Sequence, residues 1–147
     1  MSFNITKRHS ILVAEDDAED RYLLQTAFEE QGYTHKIDFV EDGVDVLSYL
    51  SAVENDEALS FPQFILLDLN MPRKDGKQVL REVKSNAIFK KIPIIVFTTA
   101  RNEADVNTCY ELGANTYIVK PLSFKELLSV ADNLRNYWLE TAIVPSL

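Results

Sequence analysis

The chain has 147 residues and a formal net charge of −8, from 15 basic and 23 acidic side chains, with 46% hydrophobic residues. That is the length of one domain with enough apolar chain for a core, and its acidity argues against direct nucleic-acid binding, which needs a cationic footprint. A single cysteine, Cys109, excludes an internal disulfide and suits a reducing compartment.

Lys7-Arg8 precede an apolar run that breaks at Glu15. This is neither a secretory signal nor a membrane span, and it predicts a cytoplasmic protein with no membrane partner. Ile11-Leu12-Val13-Ala14 reads as a buried strand ending in three carboxylates, Glu15-Asp16-Asp17. Asp17 is placed to cap a helix with the apolar stripe Leu23, Leu24, Ala27 and Phe28, closed by Gly32. His35–Val40 alternates as a second strand, and Asp42-Gly43 turns into a helix carrying Val46, Leu47 and Leu50. Val53–Pro62 is polar, acidic and aperiodic, as in a surface loop.

Phe64-Ile65-Leu66-Leu67 is too short for a helix and suits a strand buried on both faces. It stops at Asp68, and Asn70, Pro72 and Asp75-Gly76 then supply turn chemistry. A helix carrying Val79, Leu80 and Val83 follows. Pro93 opens a fourth strand, Ile94–Phe97, running into Thr98-Thr99-Ala100. Asn102 is a cap for a helix through Leu112, with Gly113 past its end, and Cys109 reads there as a buried small hydrophobe. Thr116–Val119 is a fifth strand ending at Lys120-Pro121. Ser123 and Glu126 form a capping-box pattern before a helix with Phe124, Leu127, Leu128, Ala131, Leu134 and Trp138 on one side.

Five alternations of strand and helix predict βαβ units, a parallel sheet and right-handed crossovers: an α/β, doubly wound fold. Too little chain follows Ser123 for a second domain, so a single domain spanning 1–147 with no output domain is expected. In a parallel sheet the carboxyl ends share one edge. Glu15-Asp16, Asp68, Thr99 and Lys120 therefore converge there. Crowded carboxylates call for a cation, and oxygen ligands with room for water suit Mg²⁺. Lysine and a hydroxyl beside them fit a phosphoryl group on Asp68.

This pattern resembles the receiver domain of two-component response regulators. The resemblance is carried by Glu15-Asp16, by Asp68-Leu-Asn-Met-Pro-Arg-Lys-Asp-Gly76, by Thr99-Ala100 and by Tyr117-Ile-Val-Lys120-Pro121, and it covers about Ile11 to Leu134. It implies a five-stranded flavodoxin-like (βα)₅ fold with strand order 2-1-3-4-5. It makes Asp68 the phosphoacceptor for a histidine kinase. Asp16, Asp68 and the Asn70 backbone carbonyl would ligate Mg²⁺ or Mn²⁺, with Glu15 acting through water. Lys120 and Thr99 would bind the phosphoryl group, Tyr117 would be the switch aromatic, and Lys120-Pro121 would be a cis peptide. Asn70 and Arg101 match positions that tune phosphoryl lifetime. Thr98 is the rival to Thr99, since strand period points the two opposite ways, and Asp17 reads only as a cap.

The family's usual output surface is the fourth helix, fifth strand and last helix. Here it would carry Tyr110, Tyr117 and Tyr137-Trp138-Leu139, and with the apolar tail ending at Leu147 it suggests a homodimer. The bland alternative for the tail is packing of a longer last helix onto its own domain. The tail and the long loop before the third strand resemble the small regulators that serve phytochrome-type histidine kinases. Three competing readings are weaker. Haloacid-dehalogenase-like phosphotransferases want an aspartate where this chain has Asn70. The complete acid, threonine and lysine set argues against a scaffold that is never phosphorylated. Flavin binding lacks a phosphate-cradling loop after the first strand.

Overall fold

Five parallel strands form one sheet in the order β2-β1-β3-β4-β5. The computed structural model describes residues 10–145. The Lys7-Arg8 pair and the last two residues of the expected tail therefore lie outside the described residues. In chain order the elements are β1 (Ser10–Ala14), α1 (Ala18–Glu30), β2 (Lys36–Val40), α2 (Gly43–Glu54), β3 (Ile65–Leu67), α3 (Gly76–Ser85), a 3₁₀ turn (Phe89–Lys91), β4 (Ile94–Thr98), α4 (Glu103–Glu111), β5 (Thr116–Val119) and α5 (Phe124–Leu134). The strand order is that expected for a flavodoxin-like receiver fold. The helix α2 reaches Glu54, two residues into the stretch read as loop, because Val53 is buried against the core.

Side chains alternate across the sheet, as the two-residue period requires. Ile11, Val13, Leu66, Ile95 and Phe97 face Leu24, Ala27 and Phe28 of α1 and Leu127, Ala131 and Leu134 of α5. Leu12, Ala14, Ile65, Leu67, Ile94 and Val96 face α2 and α3 through Val46, Leu50, Val79, Leu80 and Val83, with Cys109 of α4. The central strands are thus covered on both sides, which explains why β3 and β4 read as unbroken apolar runs.

Local chemistry sets the helix starts. Asp17, Asp42, Asp75, Asn102 and Ser123 each accept a backbone N–H at the head of their helix. Asp75 and Gln78 complete a reciprocal capping box. At Ser123 only half of the expected box forms: its hydroxyl accepts from the Glu126 amide at 3.2 Å.

Two expectations change. No cis peptide is present among the described residues, so the Lys120–Pro121 bond is trans. The Lys120 amide donates to the Thr98 carbonyl at 2.8 Å and its ammonium still reaches Asp68, so the site forms with the isomer favoured by about 0.5–1 kcal/mol. The last helix also changes its winding: Arg135–Thr141 is π-helical, with the Ala142 amide reaching the Tyr137 carbonyl at 2.6 Å. Gln63 donates to the Trp138 carbonyl at 3.0 Å, tying this turn to the start of β3. Trp138 and Leu139 pack partly against the α1–α5 core, as in the bland reading of the tail, while Tyr137 and Ile143 stay exposed.

Candidate phosphoacceptor and metal site

The chain leaves β1 toward β2 on one side and returns to β3 on the other, so the carboxyl ends of β1 and β3 flank a topological switch point. Register places Ala14 opposite Leu67, and the next residues are Glu15 and Asp68. The Asp68 amide donates to the Ala14 carbonyl at 3.1 Å, which prolongs the ladder and fixes the acid at the sheet edge. Asp68 is only 5% exposed and Glu15 only 2%. The Asn70 amide donates to Asp68 Oδ1 at 3.2 Å, closing a tight turn that Asp68 begins.

Glu15, Asp16 and Asp68 each offer a carboxylate oxygen, and these atoms lie within 4.8 Å of one another. Lys120 arrives from the end of β5. Its Nζ donates to Asp68 Oδ2 at 2.9 Å, to Asp20 Oδ2 at 2.9 Å and to Glu15 Oε1. Burial pushes the Glu15 carboxyl up to about 7, despite the hydrogen bond from Lys120. Burial opposes the Lys120 ammonium as well, but its carboxylate partners outweigh that effect and raise its pKa. One ammonium among that many acids leaves an excess of negative charge, and three of the acids converge on one point. Hard oxygen donors in that arrangement fit Mg²⁺ or Mn²⁺.

Asp20, on the first turn of α1, was not legible as a site residue. A signal existed: α1 starts directly after the Glu15-Asp16-Asp17 run, so its first turn must lie over the same edge.

The other expected residues are placed as follows. Thr98 is fully buried at the end of β4, and Thr99 is the first exposed residue beyond it. Register sets Asp68 level with Phe97, so Thr99 lies two residues further out. Among the described residues no hydrogen bond joins Thr99 to Asp68. Tyr117 is half-buried, and its hydroxyl donates to the Ala100 carbonyl at 2.6 Å. Arg101 is exposed and shares a surface groove with Lys120, Pro121 and Leu122.

The loop after Asp68 is clamped to α2. Arg73 sits in the left-handed region at φ 62°. Its guanidinium pairs with Asp42 at 2.7 Å and Asp45 at 3.0 Å. Burial raises the pKa of that capping acid, Asp42, but the Asp45 amide and then Arg73 outweigh it and hold the carboxyl below the usual carboxylate range.

Comparison with known proteins agrees with this geometry. Response regulator Rcp1 of Synechocystis sp. is 38% identical over 136 residues, 92% of either chain. The crystal structure of the phosphorylated cyanobacterial phytochrome response regulator RcpA has a TM-score of 0.86 at 37% identity, over 95% of this chain and 99% of that one. The Mn²⁺-bound form of Rcp1 has a TM-score of 0.83 at 37% identity, over 94% and 99%. The family profile described as the response regulator receiver domain matches residues 11–132, and the chain belongs to that family.

Proposed function

We propose that Asp68 accepts a phosphoryl group from a phosphohistidine of a partner kinase and that the altered surface is then read by another protein. The observation that supports this most is the reach of Lys120 from β5 to Asp68 on β3, beside the acid cluster. A carboxylate oxygen of Asp68 attacks phosphorus, the P–O bond forms as the P–N bond breaks, and the departing imidazole takes a proton from solvent. The Lys120 ammonium offsets charge on the transferred oxygens, and the Asn70 amide holds Asp68 Oδ1 in place. Asp16, Asp68 and the Asn70 carbonyl would hold Mg²⁺ or Mn²⁺, with Glu15 reaching it through water. The ion would supply further charge neutralisation. Thr99 would close on the phosphoryl group and Tyr117 would follow the loop, biasing a two-state equilibrium.

Incubation with acetyl phosphate and Mg²⁺ tests the assignment. Wild-type protein gains label and Asp68→Asn gains none; label on Asp68→Asn refutes it. The same label, followed in time, is lost several-fold faster from Arg101→Ala, because a long side chain no longer shields the bond from water. An unchanged rate removes Arg101 from the account.

Relatives described as phytochrome response regulators favour a phytochrome-type kinase as the donor. Phosphotransfer from such a kinase at a rate no better than from an unrelated one would refute that choice. The reading extends to a cytoplasmic signalling protein with no catalytic turnover beyond its own phosphorylation and dephosphorylation. It extends also to a homodimer through α4, β5 and α5. Exposed Tyr110, Tyr137 and Ile143 favour that association. No helix among the described residues is long and apolar enough to cross a membrane.

A further inference from the structure

We infer that Asp20 is a positioning residue that competes with the phosphoryl group for the Lys120 ammonium. This rests on Asp68 being the acceptor. An ammonium has three N–H donors. On Lys120 all three are engaged, by Glu15, Asp20 and Asp68. No donor is left for an incoming phosphoryl oxygen, so one carboxylate must give way.

The three differ in what their release would cost. Asp68 gives up its carboxylate charge to the bond it forms, so its share of the ammonium passes to the new oxygens. A further donor must come from Asp20 or from Glu15, whose side chain is 2% exposed and would be left charged without water. The Asp20 side chain is 39% exposed. Water can replace the ammonium at Asp20 and not at Glu15. Asp20 also sits on α1, outside the strand ends that fix the other two, and it is the remaining acid that gathers at this lysine. Its negative charge repels a phosphoryl dianion and its hydrogen bond holds Lys120 toward α1. Both effects oppose anion binding at Asp68, so Asp20 sets how readily the lysine is handed over.

Beryllofluoride, a phosphoryl stand-in, tests this by calorimetric titration of the full chain at saturating Mg²⁺. Asp20→Asn keeps the side-chain shape at a half-exposed position and removes the charge. It binds roughly two- to fivefold more tightly than wild type, the scale of one partly exposed ion pair. Asp20→Glu, which retains the carboxylate, stays closer to wild type than Asp20→Asn does. A merely structural role predicts the opposite sign, since loss of a helix contact would weaken binding. Equal or weaker binding by Asp20→Asn overturns the inference while leaving Asp68 as the acceptor. Failure of wild type to bind, or equal binding by Asp68→Asn, overturns both.

Discussion

The hydroxyl of Tyr117 donates to the carbonyl oxygen of Ala100 across 2.6 Å, and the Tyr117 amide in turn donates to the hydroxyl of Tyr110 at 3.1 Å. One residue of β5 thus holds both the loop after Thr99 and the exposed face of α4. The loop that would have to move toward a modified Asp68 is tied to the face that would report it. Tyr117→Phe removes one hydrogen bond from a half-buried carbonyl. It is expected to lower unfolding free energy by about 0.5–1.5 kcal/mol and to broaden the amide resonances of residues 99–102. Unaltered resonances would mean that the phenol does not restrain the loop.

Gly76 lies where the first turn of α3 meets the end of β3. A Cβ there would sit 2.3 Å from the Asp68 carbonyl oxygen and 2.7 Å from Leu69 Cα, and both are backbone. Gly76→Ala therefore pushes directly on the acceptor. We expect a loss of about 1–3 kcal/mol in denaturant unfolding and slower labelling from acetyl phosphate. Gly32→Ala is the contrast. Gly32 has open space around it but φ +76°, so it costs about 1–2 kcal/mol and leaves labelling unchanged. If both variants label alike, the contact with Asp68 has no bearing on reactivity.

Lys84 donates to the carbonyls of Lys90 and Ile92, at 3.0 and 2.8 Å, and to Asn115 Oδ1 at 3.2 Å. None of these partners is an acid. Burial lowers its pKa to about 8 from an ordinary 10.5. Between those values the folded chain binds fewer protons than the unfolded one, so stability contributed by this residue rises with pH across that window. Below about pH 8 both states carry the proton and the burial penalty is fully present. Unfolding free energy of wild type, measured relative to Lys84→Met, should therefore increase from pH 8 to pH 10. A flat difference would show that the three oxygens fully offset burial of the ammonium.

The last helix offers a test of self-association. Tyr137 and Ile143 are 55% and 79% exposed, while Trp138 packs inward beside the Gln63 contact. Replacing Tyr137 and Ile143 by serine removes outward apolar surface, together with the edge-on contact between the Tyr137 and Trp138 rings, whose centroids lie 5.0 Å apart. Sedimentation should report a dimer for wild type and a smaller mass for the double variant. An unchanged mass would exclude these side chains as the cause.

Much of this architecture was legible residue by residue. Ile11–Ala14, Phe64–Leu67 and Thr116–Val119 announce strands because short apolar runs bounded by acids, proline and glycine leave no room for another element. Each chemistry-bearing residue follows such a run directly, so Asp68 and Lys120 could be set on one edge before any geometry was known. Helix starts were equally local, since Asp17, Asn102 and Ser123 act on amides three residues away.

Contacts between distant segments were a different matter. Asp20 looks like an ordinary first-turn acid until β5 delivers Lys120 from 100 residues away. The Arg73 clamp on Asp42 and Asp45 joins the loop after β3 to the start of α2, and their approach depends on how α2 and α3 pack. The π winding of Arg135–Thr141 comes with a contact from Gln63 to the Trp138 carbonyl, 75 residues apart. Periodicity and turn chemistry act within a few residues, so the amino-acid order alone determined the elements and the edge where the acids meet. Which side chains share the lysine depends on long-range packing, which only the folded chain expresses.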